Sequence, residues 1–253
     1  MQAPDLLAAA LRWLELAGLL GFTGAVVVRR LAANPPALPW ARPRLQLVLG
    51  LALAGGLATA VDQFVFGAGV TLGVLIRIAA EAVALALCMT IGRGAVPVGF
   101  VAVLVIALSG HAPRVDPPVP AIIDEAIHVV SAGMWAGGIV VLAALHPPGG
   151  WRGEEGRELI ERFGRVAILA LAITALTGVL RATQELTAIS DLWATGYGLV
   201  LAAKSAGVLA MAAMSALTWR RGLPLARVEA ALGLAVIGAS GLLAAFPMPP
   251  GQA

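Results

Sequence analysis

The sequence predicts an all-α polytopic membrane protein with about eight transmembrane helices in a single domain, residues 1–253. Hydrophobic residues make up 60% of the chain and charged residues only 12%, whereas a soluble domain carries about 25% charged residues. The mean hydropathy is +0.92. A chain this apolar cannot cover a water-facing surface with polar side chains, so we expect the lipid bilayer to be its solvent.

The spanning segments are apolar runs of roughly the 20 residues that a bilayer requires. The first follows Met1–Asp5, which contains no basic residue, so we expect a spanning helix rather than a signal peptide. The fourth segment is the shortest. The predicted helices cover residues 6–28, 45–62, 69–91, 95–110, 121–145, 162–184, 196–218 and 227–246.

Proline and glycine separate these segments because both residues interrupt helices. Asn34-Pro35-Pro36 follows the first segment, Gly92-Arg93-Gly94 the third, Pro117-Pro118 the fourth and Pro147-Pro148 the fifth. The segments are too long for barrel strands, and helices satisfy their own backbone hydrogen bonds in lipid. The breakers therefore support a helical bundle.

Basic residues predict the orientation, because cytoplasmic loops of membrane proteins are enriched in arginine and lysine. Twelve of the seventeen basic residues lie in alternate loops or at the helix ends beside them, and only Arg114 and Arg181 lie on the opposite side. We therefore expect both termini to be extracytoplasmic. The same distribution explains the pI of about 10.0 without a nucleic-acid partner.

Charged residues inside spans are costly and are candidates for function. Arg12 and Glu15, Arg77 and Glu81, and Arg181 and Glu185 are spaced three or four residues apart, so each pair shares a helix face and could neutralise itself. Most such residues are predicted in the outer half of the bundle, whereas the inner half is almost wholly apolar. This pattern predicts an outward-open polar cavity.

The histidines divide into two groups. His111 and His128 are predicted near the outer surface on consecutive segments, so they can share one ion, whereas His146 is predicted at the inner surface. Asp124 lies one turn before His128 and is a candidate to accept a hydrogen bond from that histidine or to be an additional ligand. The alternative is that these histidines form only structural hydrogen bonds between helices.

Imidazole suits copper, zinc and iron, and thioether sulfur favours Cu(I). Met134, Met211 and Met214 are therefore possible soft ligands, although methionine at such spacing more often packs a core. Cys88 is the sole cysteine, so no intramolecular disulfide and no CxxC metal site are possible.

Several short motifs resemble the copper resistance protein D (CopD) family. Gly110-His111-Ala112 is followed by His128 and then by Trp135-Ala136-Gly137-Gly138, and Thr195-Gly196-Tyr197-Gly198 is followed by Lys204. The similarity runs over most of residues 69–250. It implies an eight-helix bacterial inner-membrane protein that takes part in copper import, homeostasis or resistance and handles copper from the periplasmic side.

With this resemblance, the leading hypothesis is copper handling without catalysis, in which His111 and His128 receive the ion. The residues expected to line the cavity are Arg77, Glu81, Trp135, Tyr197 and Lys204. The sequence holds no soluble copper-binding domain, so a separate periplasmic copper-delivering protein is the expected partner. The alternative hypothesis is a haem-binding membrane oxidoreductase with His111 and His128 as axial ligands, and a third is a non-catalytic scaffold for a metal-delivery partner.

Overall fold

The computed structural model describes residues 5–67, 69–90, 92–108, 112, 117–186, 188–221 and 226–246, with the backbone alone at 184, 185, 218–221 and 226. Within these ranges the regular structure is helical, without strands. The helices are α1 Leu6–Ala33, α2 Leu45–Phe66, α3 Leu72–Thr90, α4 Ala95–Leu108, α5 Pro118–Ala143, α6 Glu154–Glu185, α7 Asp191–Ala194, α8 Gly196–Arg221 and α9 Ala226–Ala244.

In the described ranges, seven of these helices are long and apolar enough to cross a membrane, and α4 is a shorter apolar helix. The prediction of an all-α polytopic membrane protein is confirmed. The last residues of α4, Ile106–Leu108, form a 3₁₀ turn.

The observed helices extend beyond several predicted spans. α1 continues to Ala33, and α6 begins at Glu154, eight residues before the predicted start of its span. Hydropathy marks only the part of a helix that lipid contacts, whereas the helix itself continues wherever its backbone bonds are satisfied. Glu154 and Glu155 in the first turn of α6 favour an early start because acidic side chains stabilise the positive N-terminal end of a helix.

Helix α1 lies at the centre of the bundle and packs against α2, α4, α5 and α9. Its closest approach is to a π-helical segment within α5, Gly133–Gly137. A Cβ atom at Gly137 would collide with the backbone carbonyl of Leu20, and one at Gly133 would lie 2.7 Å from the Cβ of Thr23. The absence of side chains at these two glycines thus allows the close contact of α5 with α1.

At the opposite end of α1, Arg162 of α6 holds the first interhelix loop. Its guanidinium donates hydrogen bonds at 2.9 Å to the backbone carbonyls of Leu31, Asn34 and Pro36, and its Nε pairs with Glu158 at 2.6 Å. These bonds satisfy carbonyls that a helix end leaves without partners. They fix the end of α1 that lies away from the polar residues described next.

Candidate functional site

A cavity of about 120 Å³ opens at one end of the bundle. Its walls come from the first turns of α1, α5 and α8 and from the last turns of α4, α6 and α9, so consecutive helices bring their polar ends to the same side. The residues with polar or charged side chains that line it are Arg12, Glu125, His128, Arg181, Tyr197, Lys204 and Ser240. The predicted clustering of polar residues in one half of the bundle is therefore observed, and which side of the membrane this half faces stays a prediction.

His128 lies in the wall of this cavity and is 9% exposed. Its Nδ1 is 2.9 Å from the Oγ1 of Thr177 on α6. The Thr177 hydroxyl donates its own hydrogen to the backbone carbonyl of Ile173 at 2.8 Å, so its oxygen is left to accept from Nδ1–H. With Nδ1 as the donor, a neutral imidazole carries its lone pair on Nε2.

Buried hydroxyl groups continue from His128 toward the middle of the bundle. Thr174 and Ser131, one turn further from the cavity end on α6 and α5, lie within 2.8 Å of each other through their hydroxyl oxygens. The Ser131 hydroxyl donates to the backbone carbonyl of His128 at 3.1 Å. Of these contacts, the one that reaches the His128 ring comes from Thr177 on the neighbouring helix, and it orients that ring.

Ion pairs surround the cavity. Arg181 of α6 pairs with Glu125 of α5, and Arg12 of α1 pairs with Glu15 at 3.5 Å. Tyr197 at the start of α8 packs edge-to-face on Phe246 with ring centroids 5.7 Å apart. Among the described residues, the lining therefore combines three cationic side chains with one carboxylate and one imidazole.

Behind Arg12 lies a buried charged cluster, which we define as Arg12, Glu15, Arg77 and Glu81. The Nε of Arg77 lies 2.5 Å from the Oε1 of Glu15, so these two residues form an ion pair between α1 and α3. The expectation that Arg77 and Glu81 neutralise each other is wrong, because Arg77 pairs with Glu15 although Glu81 lies one turn away on its own helix.

The structure brings together some of the predicted site residues. His128, Tyr197 and Lys204 all line the cavity. Arg77 and Glu81 lie in the charged cluster and do not line the cavity. Asp124 lies beside the cavity on α5 with one carboxylate oxygen buried, and Thr177 rather than Asp124 is the hydrogen-bond partner of His128.

The other predicted residues lie elsewhere. Trp135 and Met211 are buried in the hydrophobic core, and Met134 packs against that core. Met214 is half-buried on α8. His111 lies outside the described residues. Among the residues that the structure does describe, no three His, Cys, Asp or Glu side chains come together as a group that could hold a metal ion.

Sequence reasoning missed Thr177 and the pairing of Glu15 with Arg77. A threonine in an apolar helix carries little signal, because its hydroxyl can always bond to the carbonyl four residues earlier. The pairing of Glu15 with Arg77 joins two helices that are far apart in sequence. Its only sequence signal is the number of charges: two arginines, Arg12 and Arg77, and two glutamates, Glu15 and Glu81, allow more than one pairing.

Residues 157–243 match the family described as copper resistance protein D. Copper transport protein CutJ of Bacillus subtilis (strain 168) is 28% identical to this chain over 155 residues, which covers 57% of this chain and 28% of that protein. The chain thus spans well under two thirds of the length of that relative. No solved structure matches. The matched residues 157–243 include Thr177, Arg181, Tyr197 and Lys204, and over this part of the chain the resemblance to the copper resistance protein D family is confirmed.

Proposed function

We propose that this protein handles copper in the bacterial inner membrane and takes the ion from the extracytoplasmic side into the cavity at His128, for copper import or homeostasis. The observation that carries the proposal is the position of His128 in the wall of a polar cavity at one end of the bundle, with its Nδ1 at hydrogen-bond distance from Thr177. Neutral imidazole with its other nitrogen hydrogen-bonded is the usual form of a histidine ligand. The family match and the name of the CutJ relative support copper as the ion.

His128 supplies one ligand in this proposal, and His111 and Asp124 are the candidates for the others. His111 precedes α5 in the chain, on the same predicted side of the membrane as His128. A transport or binding role is proposed rather than catalysis. A separate periplasmic protein that delivers copper is proposed as the partner.

The charges around the cavity favour a monovalent ion. Within the part of the chain that the structure describes, Arg12, Arg181 and Lys204 line the cavity and Glu125 is the one carboxylate that does so. Coulomb repulsion from a given set of positive charges is twice as large for a divalent as for a monovalent cation. We therefore propose Cu(I), which also accepts imidazole and thioether ligands.

A haem-binding oxidoreductase is the second candidate. The observation that favours it is the same set of cationic side chains around His128, which suits the propionates of a haem. The size of the cavity argues against it, because about 120 Å³ is well below the roughly 300–1,000 Å³ of small-molecule and cofactor sites. The copper proposal is therefore preferred.

The deciding experiment measures the copper content and the visible spectrum of the purified protein and of its His128→Ala and His146→Ala variants. His146 is exposed just beyond the end of α5, at the other end of the bundle, and is the matched control. The wild type and His146→Ala should bind copper without a Soret band, and His128→Ala should lose most of it. A Soret band lost in His128→Ala would favour haem, and unchanged copper binding in that variant would refute the proposed site.

A further inference from the structure

The charged cluster contains one carboxyl group, that of Glu81, without a partner at ion-pair distance among the described residues. Glu81 is 0% exposed, and within the described part of the chain no arginine or lysine nitrogen lies within 4.0 Å of it, since the ion pairs of its neighbours go to Glu15. Neither of its carboxylate oxygens has a hydrogen-bond partner among the described residues. An ionised carboxylate in such a place carries a large desolvation cost.

Glu81 also faces another carboxylate. Its Oε2 lies 2.8 Å from the point where a Cβ atom at Gly56 would stand, and the Oε1 of Glu15 lies 3.2 Å from the same point. The missing side chain at Gly56 thus provides the space that both carboxyl groups enter from α1 and α3. Two negative charges in this space repel each other, and a single proton on Glu81 removes both the repulsion and the cost of burial.

The polar and charged side chains around Glu81 come from the helices that pack there. Helix α2 contributes the hydroxyl of Thr59, which donates to the carbonyl of Gly55 at 2.8 Å, and α4 contains no ionisable side chain. Toward the cavity end of the bundle, the charged residues on the surrounding helices are Arg12 and Glu15 on α1, Asp62 near the end of α2, Arg77 on α3, and Asp124 and Glu125 on α5.

The cluster is connected to the cavity, because Arg12 lines the cavity and pairs with Glu15, which in turn pairs with Arg77. With a proton on Glu81, the four side chains of the cluster carry a net charge of about +1, and without it they are neutral. A monovalent metal ion in the cavity adds one positive charge. Loss of the proton therefore keeps the total charge of this low-dielectric region constant.

Building on the proposed copper function, we propose that Glu81 is a proton-binding site whose proton is released when a metal ion binds in the cavity. The O–H bond of the Glu81 carboxylic acid breaks, the electron pair stays on the carboxylate, and the proton leaves through the cavity to water. His128 contributes no proton, because its Nε2 is already unprotonated in the assigned tautomer. Metal binding and proton binding are thereby coupled through Arg12, Glu15 and Arg77.

The test counts protons released when Ag⁺, a monovalent ion without redox chemistry, is added to the protein in nanodiscs in a weakly buffered solution. The wild type and His146→Ala should release up to about one proton for each Ag⁺ bound. Glu81→Gln, which keeps the shape of the protonated side chain, should bind Ag⁺ with the same stoichiometry and release none.

Two outcomes overturn the coupling alone: Ag⁺ binding without proton release in the wild type, or undiminished release in Glu81→Gln. Absence of Ag⁺ and copper binding in the wild type overturns the proposed function as well. If Glu81→Gln fails to assemble, infrared difference spectra of the wild type decide the question. Loss of a carboxylic-acid C=O band on Ag⁺ binding supports the proposal, and an unchanged band refutes it.

Discussion

A single threonine is the hydrogen-bond partner of the candidate histidine ligand. Because the Thr177 hydroxyl is committed as a donor to a carbonyl of its own helix, its oxygen accepts from Nδ1 of His128 and leaves Nε2 available. Thr177, which carries no unusual sequence signal, thus orients the histidine that lines the cavity.

Replacing Thr177 with valine should weaken copper binding by about 10–100-fold, because partners of metal ligands typically contribute that much to affinity. The matched control is Thr183→Val on the same helix, an exposed threonine whose hydroxyl donates to the carbonyl of Leu180. Isothermal titration of both variants checks the prediction. Equal affinities would show that the Thr177 contact does not orient the histidine.

Glu15 should be critical for stability. Glu15→Gln would leave Arg77, which is fully buried, without a carboxylate at ion-pair distance, and loss of one partner of a buried pair costs about 3–5 kcal/mol. Glu158→Gln is the control, because Glu158 is 38% exposed and Arg162 keeps its carbonyl partners. Thermal unfolding in detergent should show a large loss for Glu15→Gln and a small one for Glu158→Gln. Similar losses would contradict the assigned pairing.

At the scale of the elements, the contact of α1 with α5 depends on the absence of side chains. Gly24 of α1 faces Gly137 and Gly138 of α5, and a Cβ atom at any of the three would enter a neighbouring residue. The π-helical turn lies in this same contact. Small residues allow this approach in lipid, where close packing rather than water exclusion drives helix association.

Gly137→Leu should therefore prevent correct assembly, because the leucine side chain would hold α1 away from α5. Gly164→Leu is the matched control, since a Cβ atom at Gly164 of α6 meets nothing within 4 Å. The yield of monodisperse protein in size-exclusion chromatography measures the difference. Normal yield of Gly137→Leu would show that this contact tolerates a large side chain.

At the scale of the whole molecule, the cavity and the arginine-rich loops occupy opposite ends of the bundle. The positive-inside rule places the arginine-rich end in the cytoplasm. A reporter fused after Ala253 should therefore be extracytoplasmic, and one inserted near Gly150 should be cytoplasmic. A Gly150 reporter found outside would place the His128 cavity on the cytoplasmic side and reverse the proposed direction of copper entry.

The sequence by itself determined the class of the protein, the order of the spans and the residues that could carry chemistry. Hydropathy is a local property of the chain, and each spanning helix must by itself be apolar enough for the bilayer. A single sequence is therefore sufficient to locate the spans. The polar lining of the cavity was also predictable from the sequence. Successive spans run in opposite directions, so polar residues at alternating helix ends come together on one side of the bundle. His128 and Lys204 were named on this basis and Tyr197 from the family resemblance, whereas Arg77, Glu81 and Trp135, which were also expected there, do not line the cavity.

The tertiary structure alone decided which polar groups are partners. Thr177 reaches His128 and Glu15 reaches Arg77 from other helices, whereas the neighbours one turn away, Asp124 and Glu81, do not form these contacts. Helical spacing fixes which residues share a face, but the packing of small residues such as Gly56 and Gly137 fixes which faces meet. That packing depends on contacts between segments distant in the chain, and a hydropathy pattern carries no information about it.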